Sequence, residues 1–171
     1  MDFARHIALI TELCSRPFPA GHGPSGVGVG SEGGGPEGGG SAGGGSAGGG
    51  SAGGPGGHHL AVLRTSHGLR GGDPAERAVT VEQYEKERDA LDALLAERWG
   101  ESEILNLQTV LLRTERAAEI PEPWAGLSAR ARVAYLREVT GTGRWVALAV
   151  ADRDPADEVS LLAAVTRTAP P

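Results

Sequence analysis

The sequence predicts an α+β domain: one long helix packed on an antiparallel sheet of about four strands, with a short N-terminal helix joined to it by a disordered glycine-rich tether. Three observations predict it. Residues 80–99 carry the clearest helical apolar period, and residues 145–150 and 159–166 are apolar runs of strand length separated by an Asp- and Pro-containing turn. In Gly21–Gly57, 21 of 37 residues are glycine, and the unit GGGSA runs three times. Glycine loses the most backbone entropy on ordering, and Ser and Ala add no apolar surface to offset it. The chain therefore divides into a short amphipathic helix over 1–18, a linker over 19–57 and one domain over 58–171.

Each element has its own signal. Phe3, Ile7, Ile10 and Cys14 recur at helical spacing, with Leu9 and Leu13 widening the stripe and Pro17 and Pro19 ending it. A helix this short is marginal alone in water, so it must dock on its own domain, on another copy or on a partner. Leu60–Leu63 reads as a short strand, and Gly71-Gly72-Asp73-Pro74 as a break. Thr80 with Gln83 has the form of a capping box, Val81, Tyr84, Leu91, Leu94, Leu95 and Trp99 line one face, and Gly100 stops the helix. From Glu103 to Leu112 apolar residues alternate with a period of two, which predicts a strand.

Ile120-Pro121-Glu122-Pro123 is a loop, because each proline restricts the residue before it. Arg132–Val139 suits a strand through Val133, Tyr135 and Val139, and a Ser128-capped helix through Val133, Leu136 and Val139; the turn Thr140–Gly143 favours the strand. In the last two strands Trp145, Ala147 and Ala149 oppose Val146, Leu148 and Val150, and Val159, Leu161, Ala163 and Val165 oppose Leu162 and Ala164. Both faces are apolar, so both need a cover. The long helix covers one; the N-terminal helix, a loop carrying Trp124 or a second subunit covers the other. Burying three such side chains is worth about 5–9 kcal/mol, comparable to a domain's whole stability. The stretch from Tyr84 through Trp99-Gly100 to Trp145-Val146-Ala147-Leu148 resembles small α+β domain proteins of GC-rich bacteria. The resemblance implies no activity and no site residues.

Composition restricts partners. Sixteen basic residues face 22 acidic ones, a net charge of −6, which disfavours nucleic acid and anionic lipid surfaces. Fifteen of the sixteen are Arg, a skew that fits GC-rich coding before it fits function. One cysteine, Cys14, cannot form an internal disulfide, and no apolar run is long enough to span a bilayer; both predict a cytoplasmic protein.

No motif reaches the specificity of a catalytic or cofactor signature, and no cofactor is expected. GxGxxG matches at Gly21–Gly26 and Gly28–Gly33 neither follow a strand nor open a helix, and GxSxG at Gly39–Gly43 lacks the strained turn a nucleophile elbow needs. His58 and His59 read as solvated histidines at a domain entry rather than metal ligands, and Asp152–Glu158 as an ordinary turn. Arg130, Arg132, Arg137 and Arg144 form one positive concentration against the acidic stretch Asp73–Glu103.

Two functions remain. One is a non-enzymatic protein-interaction or regulatory module, of the kind used as immunity proteins, binding an unknown protein partner or a second copy through Ile7, Ile10, Leu13, Arg130, Arg132 and Trp145. The other is a small hydrolase or transferase using carboxylates from the Ile120–Glu122 loop and the Asp152–Glu158 turn.

Overall fold

The computed structural model describes residues 2–18 and 57–171. The expected linker, Gly57 apart, lies outside the described residues, and so do the glycine-rich motif matches within it. The chain runs α1 (Phe3–Ser15), β1 (His58–Thr65), α2 (Pro74–Trp99), β2 (Glu103–Asn106), α3 (Leu107–Glu115), α4 (Trp124–Arg130), β3 (Ala131–Val139), β4 (Arg144–Ala151) and β5 (Ser160–Thr166). All strand pairs are antiparallel and the order across the sheet is β1-β5-β4-β3-β2. The expected α+β class holds, with five strands and four helices among the described residues.

Three boundaries differ from expectation, each for a local reason. Helix α2 begins at Pro74 instead of Thr80, because Asp73 Oδ1 accepts from the Ala75 N–H and proline at the first turn loses no helical hydrogen bond. Thr80 is inside the helix, donating to the Glu76 carbonyl at 3.0 Å. The expected strand after Glu103 lasts four residues, then turns into α3, where Asn106 Oδ1 caps the Gln108 N–H at 2.9 Å. Leu107 and Val110, three apart, become the buried face, so the period of two ends at the cap. The expected loop around Trp124 is α4, and Ser128 lies within it instead of capping the next element. Arg132–Val139 is a strand, as the hairpin turn at Thr140–Gly143 favours.

The two dry faces of β4 and β5 are real, and the chain covers both itself. Helices α3 and α4 lie over Ala134, Leu136, Ala147, Ala149, Leu162 and Ala164, with Trp124 fully buried among them. Helices α1 and α2 share the opposite face, packing Ile10, Leu13, Leu91 and Leu95 on Val146, Leu148, Ala163 and Val165. A further body is therefore not needed to shield the sheet.

Helix α1 docks on its own domain. Arg144 fastens its C-terminal end, donating to the carbonyls of Leu13 at 3.2 Å and Arg16 at 2.7 Å. Phe18 then stacks on His59 with ring centroids 5.0 Å apart, under the Arg144 guanidinium at 4.4 Å. Phe18 also closes on Gly57, where an added Cβ would meet the Phe18 Cβ at 3.3 Å. Phe18 and Gly57, the last and first described residues on either side of 19–56, thus lie next to each other.

Candidate functional site

One end of the sheet carries a polar recess of about 230 Å³, where β1 and β4 finish, β5 starts and α4 ends. Two loops build its wall. Glu158 clasps the loop after β1: its carboxylate accepts from Ser66 Oγ at 2.6 Å and from the N–H groups of Gly68 at 2.9 Å and Leu69 at 3.3 Å. The Ser66 hydroxyl above all, then these amides and Arg70, holds the Glu158 carboxyl below its usual range. Arg77 braces the turn between β4 and β5, donating to the carbonyls of Asp157 and Asp154 at 2.8 Å and Asp152 at 3.2 Å.

Three guanidiniums reach this recess from elements far apart in sequence. Arg153 is held by Gln108 Oε1 at 2.7 Å and the Ala131 carbonyl at 2.8 Å, while its Nε is buried with no partner among the described residues. Arg70 stands 3.9 Å from Glu158 and is 70 % exposed. Arg130, at the end of α4, has no side-chain hydrogen bond or ion pair among the described residues. Asp154 and Asp157 supply acids to the rim, and Thr65 and Ser160 place hydroxyls 3.3 Å apart on the floor. Among the described residues no histidine lines it. What the arrangement offers is charged hydrogen bonding: guanidiniums that match a carboxylate, beside acids that match a cation.

The residues expected to form an interaction surface are scattered. Arg130 lines the recess; Arg132 lies outside it, 65 % exposed and paired with Asp152 at 3.2 Å. Ile10 and Leu13 are core residues, 0 % and 4 % exposed, so they are withdrawn from any partner. Ile7 is half-buried in an open groove between α1 and α2 beside Leu94 and Thr11, and Trp145 is half-buried against the α3–α4 cluster. The expected concentration of arginines is dispersed as well. Arg137 is buried against Asp92, and Arg144 is spent on the carbonyls of α1.

The carboxylates expected to act together lie at opposite ends of the sheet. Glu122 is at the start of α4, where Trp124 Nε1 donates to the Thr168 carbonyl beyond the end of β5, whereas Asp154–Glu158 precede the start of β5. His58 and His59 are not solvated: each is 5 % exposed. As neighbours on a strand they face opposite sides of the sheet, so they cannot share a ligand. Arg70, Arg153 and the clasp at Glu158 were not foreseen, because single arginines and a turn glutamate have no spacing that marks convergence. Among the described residues no helix is long and apolar enough to cross a membrane. No family model, curated protein or solved structure matches this chain.

Proposed function

We propose that this chain is a non-enzymatic interaction or regulatory module of the immunity-protein kind, and that its working surface is the recess at the Arg130 end of the sheet. One observation carries the reading: Arg130 opens on a braced polar recess without a partner among the described residues, while neighbouring Arg77, Arg132 and Arg153 are all engaged. A partner protein presenting a carboxylate there gains a charge-assisted, bidentate hydrogen bond to a wall that needs little reordering. The clasp and the Arg77 brace supply that rigidity.

The test is affinity capture from the source cells with the intact chain and with Arg130→Glu, followed by the same comparison on the purified partner. A partner that binds the intact chain, weakens at least tenfold with Arg130→Glu and dissociates more readily at high salt supports the reading. Equal binding by both chains places the working surface elsewhere.

A further inference from the structure

The recess is neutral in a chain whose net charge is −6: Arg70, Arg130 and Arg153 line it together with Asp154, Asp157 and Glu158, three charges of each sign. Most of them are committed. Arg153 is held by Gln108 and the Ala131 carbonyl, Glu158 sits in its clasp with Arg70 3.9 Å away, and Asp154 Oδ1 accepts from the Ala156 N–H at 2.8 Å. One charge of each sign is left over. Arg130 has no side-chain partner among the described residues, and neither has the Asp157 carboxylate, whose residue bonds only through its backbone, to the Asp154 carbonyl at 3.1 Å and to Arg77. The two do not pair with each other, yet their backbones share one frame. The Arg153 N–H donates to the Arg130 carbonyl at 3.2 Å, joining the end of α4 to the turn that carries Asp157, and the Gly71 N–H ties the loop after β1 to the same turn at the Pro155 carbonyl, 3.2 Å away.

Resting on the reading that this recess is the working surface, we propose that the segment a partner protein inserts there carries both signs: an acidic side chain for Arg130 and, close to it in the same segment, a lysine or arginine for Asp157. Charge complementarity selects it. A purely acidic segment satisfies Arg130 but meets the open Asp157 carboxylate in a chain that is itself acidic, whereas a mixed segment answers both open charges and is neutral like the recess. A phosphate gains less, because a dianion finds as many carboxylates as guanidiniums around it. Size points the same way. About 230 Å³ lies below the roughly 300–1,000 Å³ of pockets that enclose a whole small molecule, and it suits the tips of two side chains.

Backbone amide chemical shifts of the full chain, titrated with short capped peptides at low salt, test it. The probes are glycine-based peptides holding one glutamate and one lysine, adjacent or separated by one or two glycines, with controls in which glutamine replaces either charge. A mixed peptide is expected to shift the amides of Arg130, Arg153 and Asp157 and to bind about fivefold more tightly than either control. Asp157→Asn is expected to erase the preference for lysine over glutamine, Arg130→Gln the preference for glutamate, and Asp157→Lys to turn the chain toward a peptide with two glutamates. Thermal midpoints are expected to stay unchanged, since neither side chain has an internal partner among the described residues. A glutamate peptide that needs Arg130 but binds equally with lysine or glutamine overturns this inference and leaves the recess as the working surface. Shifts with no peptide, or shifts that Arg130→Gln does not alter, overturn both. Free glycine, itself a zwitterion, binding as tightly as the mixed peptide makes the recess a metabolite site and also overturns the inference.

Discussion

Arg137 on β3 and Asp92 on α2 form an ion pair whose arginine side chain is closed to solvent at 1 % exposed, the aspartate being 16 % exposed. The same guanidinium donates to the Gly100 carbonyl at 2.7 Å and the Asp92 carbonyl at 3.0 Å, so it fastens the C-terminal half and the terminus of α2 to the sheet. Removing one partner leaves a buried charge uncompensated, at a cost of about 3–5 kcal/mol. Asp92→Ala and Arg137→Met are each expected to lose stability on that scale in chemical denaturation, and the double variant to lose clearly less than the two singles together. Additive losses would show that the pair is not coupled.

Ile10 decides whether α1 is part of the fold or an appendage. It is 0 % exposed between α2 and the sheet. Ile10→Ala is expected to destabilise the whole domain by about 2–5 kcal/mol in one cooperative transition. An unchanged midpoint, with only helical signal lost, is the result a detachable helix gives.

Phe18 and Gly57 lie against each other, so the two ends that residues 19–56 join are already close. Shortening residues 19–56 roughly fourfold while keeping both ends is expected to retain the fold and raise stability by about 1 kcal/mol, since each halving of the length between two fixed ends recovers about 0.6 kcal/mol of closure entropy. Circular dichroism and a denaturant midpoint read the outcome. A variant that unfolds shows that those residues do more than connect.

Acid acts on His58. Burial holds its imidazole below the ordinary histidine range, and the Glu122 carboxylate opposes that shift less strongly. The unfolded chain therefore binds the proton first, so His58 subtracts stability as pH falls through the unfolded value near 6.5 toward its lower folded value. Between about pH 7 and pH 5, where carboxylates stay ionised, wild type is expected to lose stability and His58→Gln to show a shallower slope. Parallel slopes for the two proteins would remove His58 from the titration.

Cys14 follows the same logic in the other direction. Burial raises its thiol to about 11, partly offset by Arg144, so very little thiolate exists at neutral pH. A thiol reagent is expected to react with the native protein far more slowly than with the denatured chain. Equal rates would place α1 off the sheet.

The short-range periods were legible without coordinates. Alternation along 145–150 and 159–166 assigned each side chain of β4 and β5 to a face, the apolar stripe marked α2 as far as Gly100, and the glycine-rich turn closed the β3–β4 hairpin. The switch from β2 into α3 was not legible, because Leu105–Leu112 fits a period of two as well as of three and a half, and one cap at Asn106 decides between them. The site was the least legible. Only Arg130 of its three arginines stood out, since nothing local to Arg70 or Arg153 marks where it ends up.

What the amino-acid order determined alone is the helical stripes of α1 and α2, the strands of the terminal hairpin and that this hairpin must be buried above and below, because a side chain's direction follows from backbone geometry over a few residues. What only the tertiary structure decided is which helices provide the two covers, where α1 docks, and which charges meet at the end of the sheet. Those outcomes depend on contacts such as Arg144 to Leu13 and Glu158 to Ser66, between residues far apart along the chain, and no local window of sequence contains them.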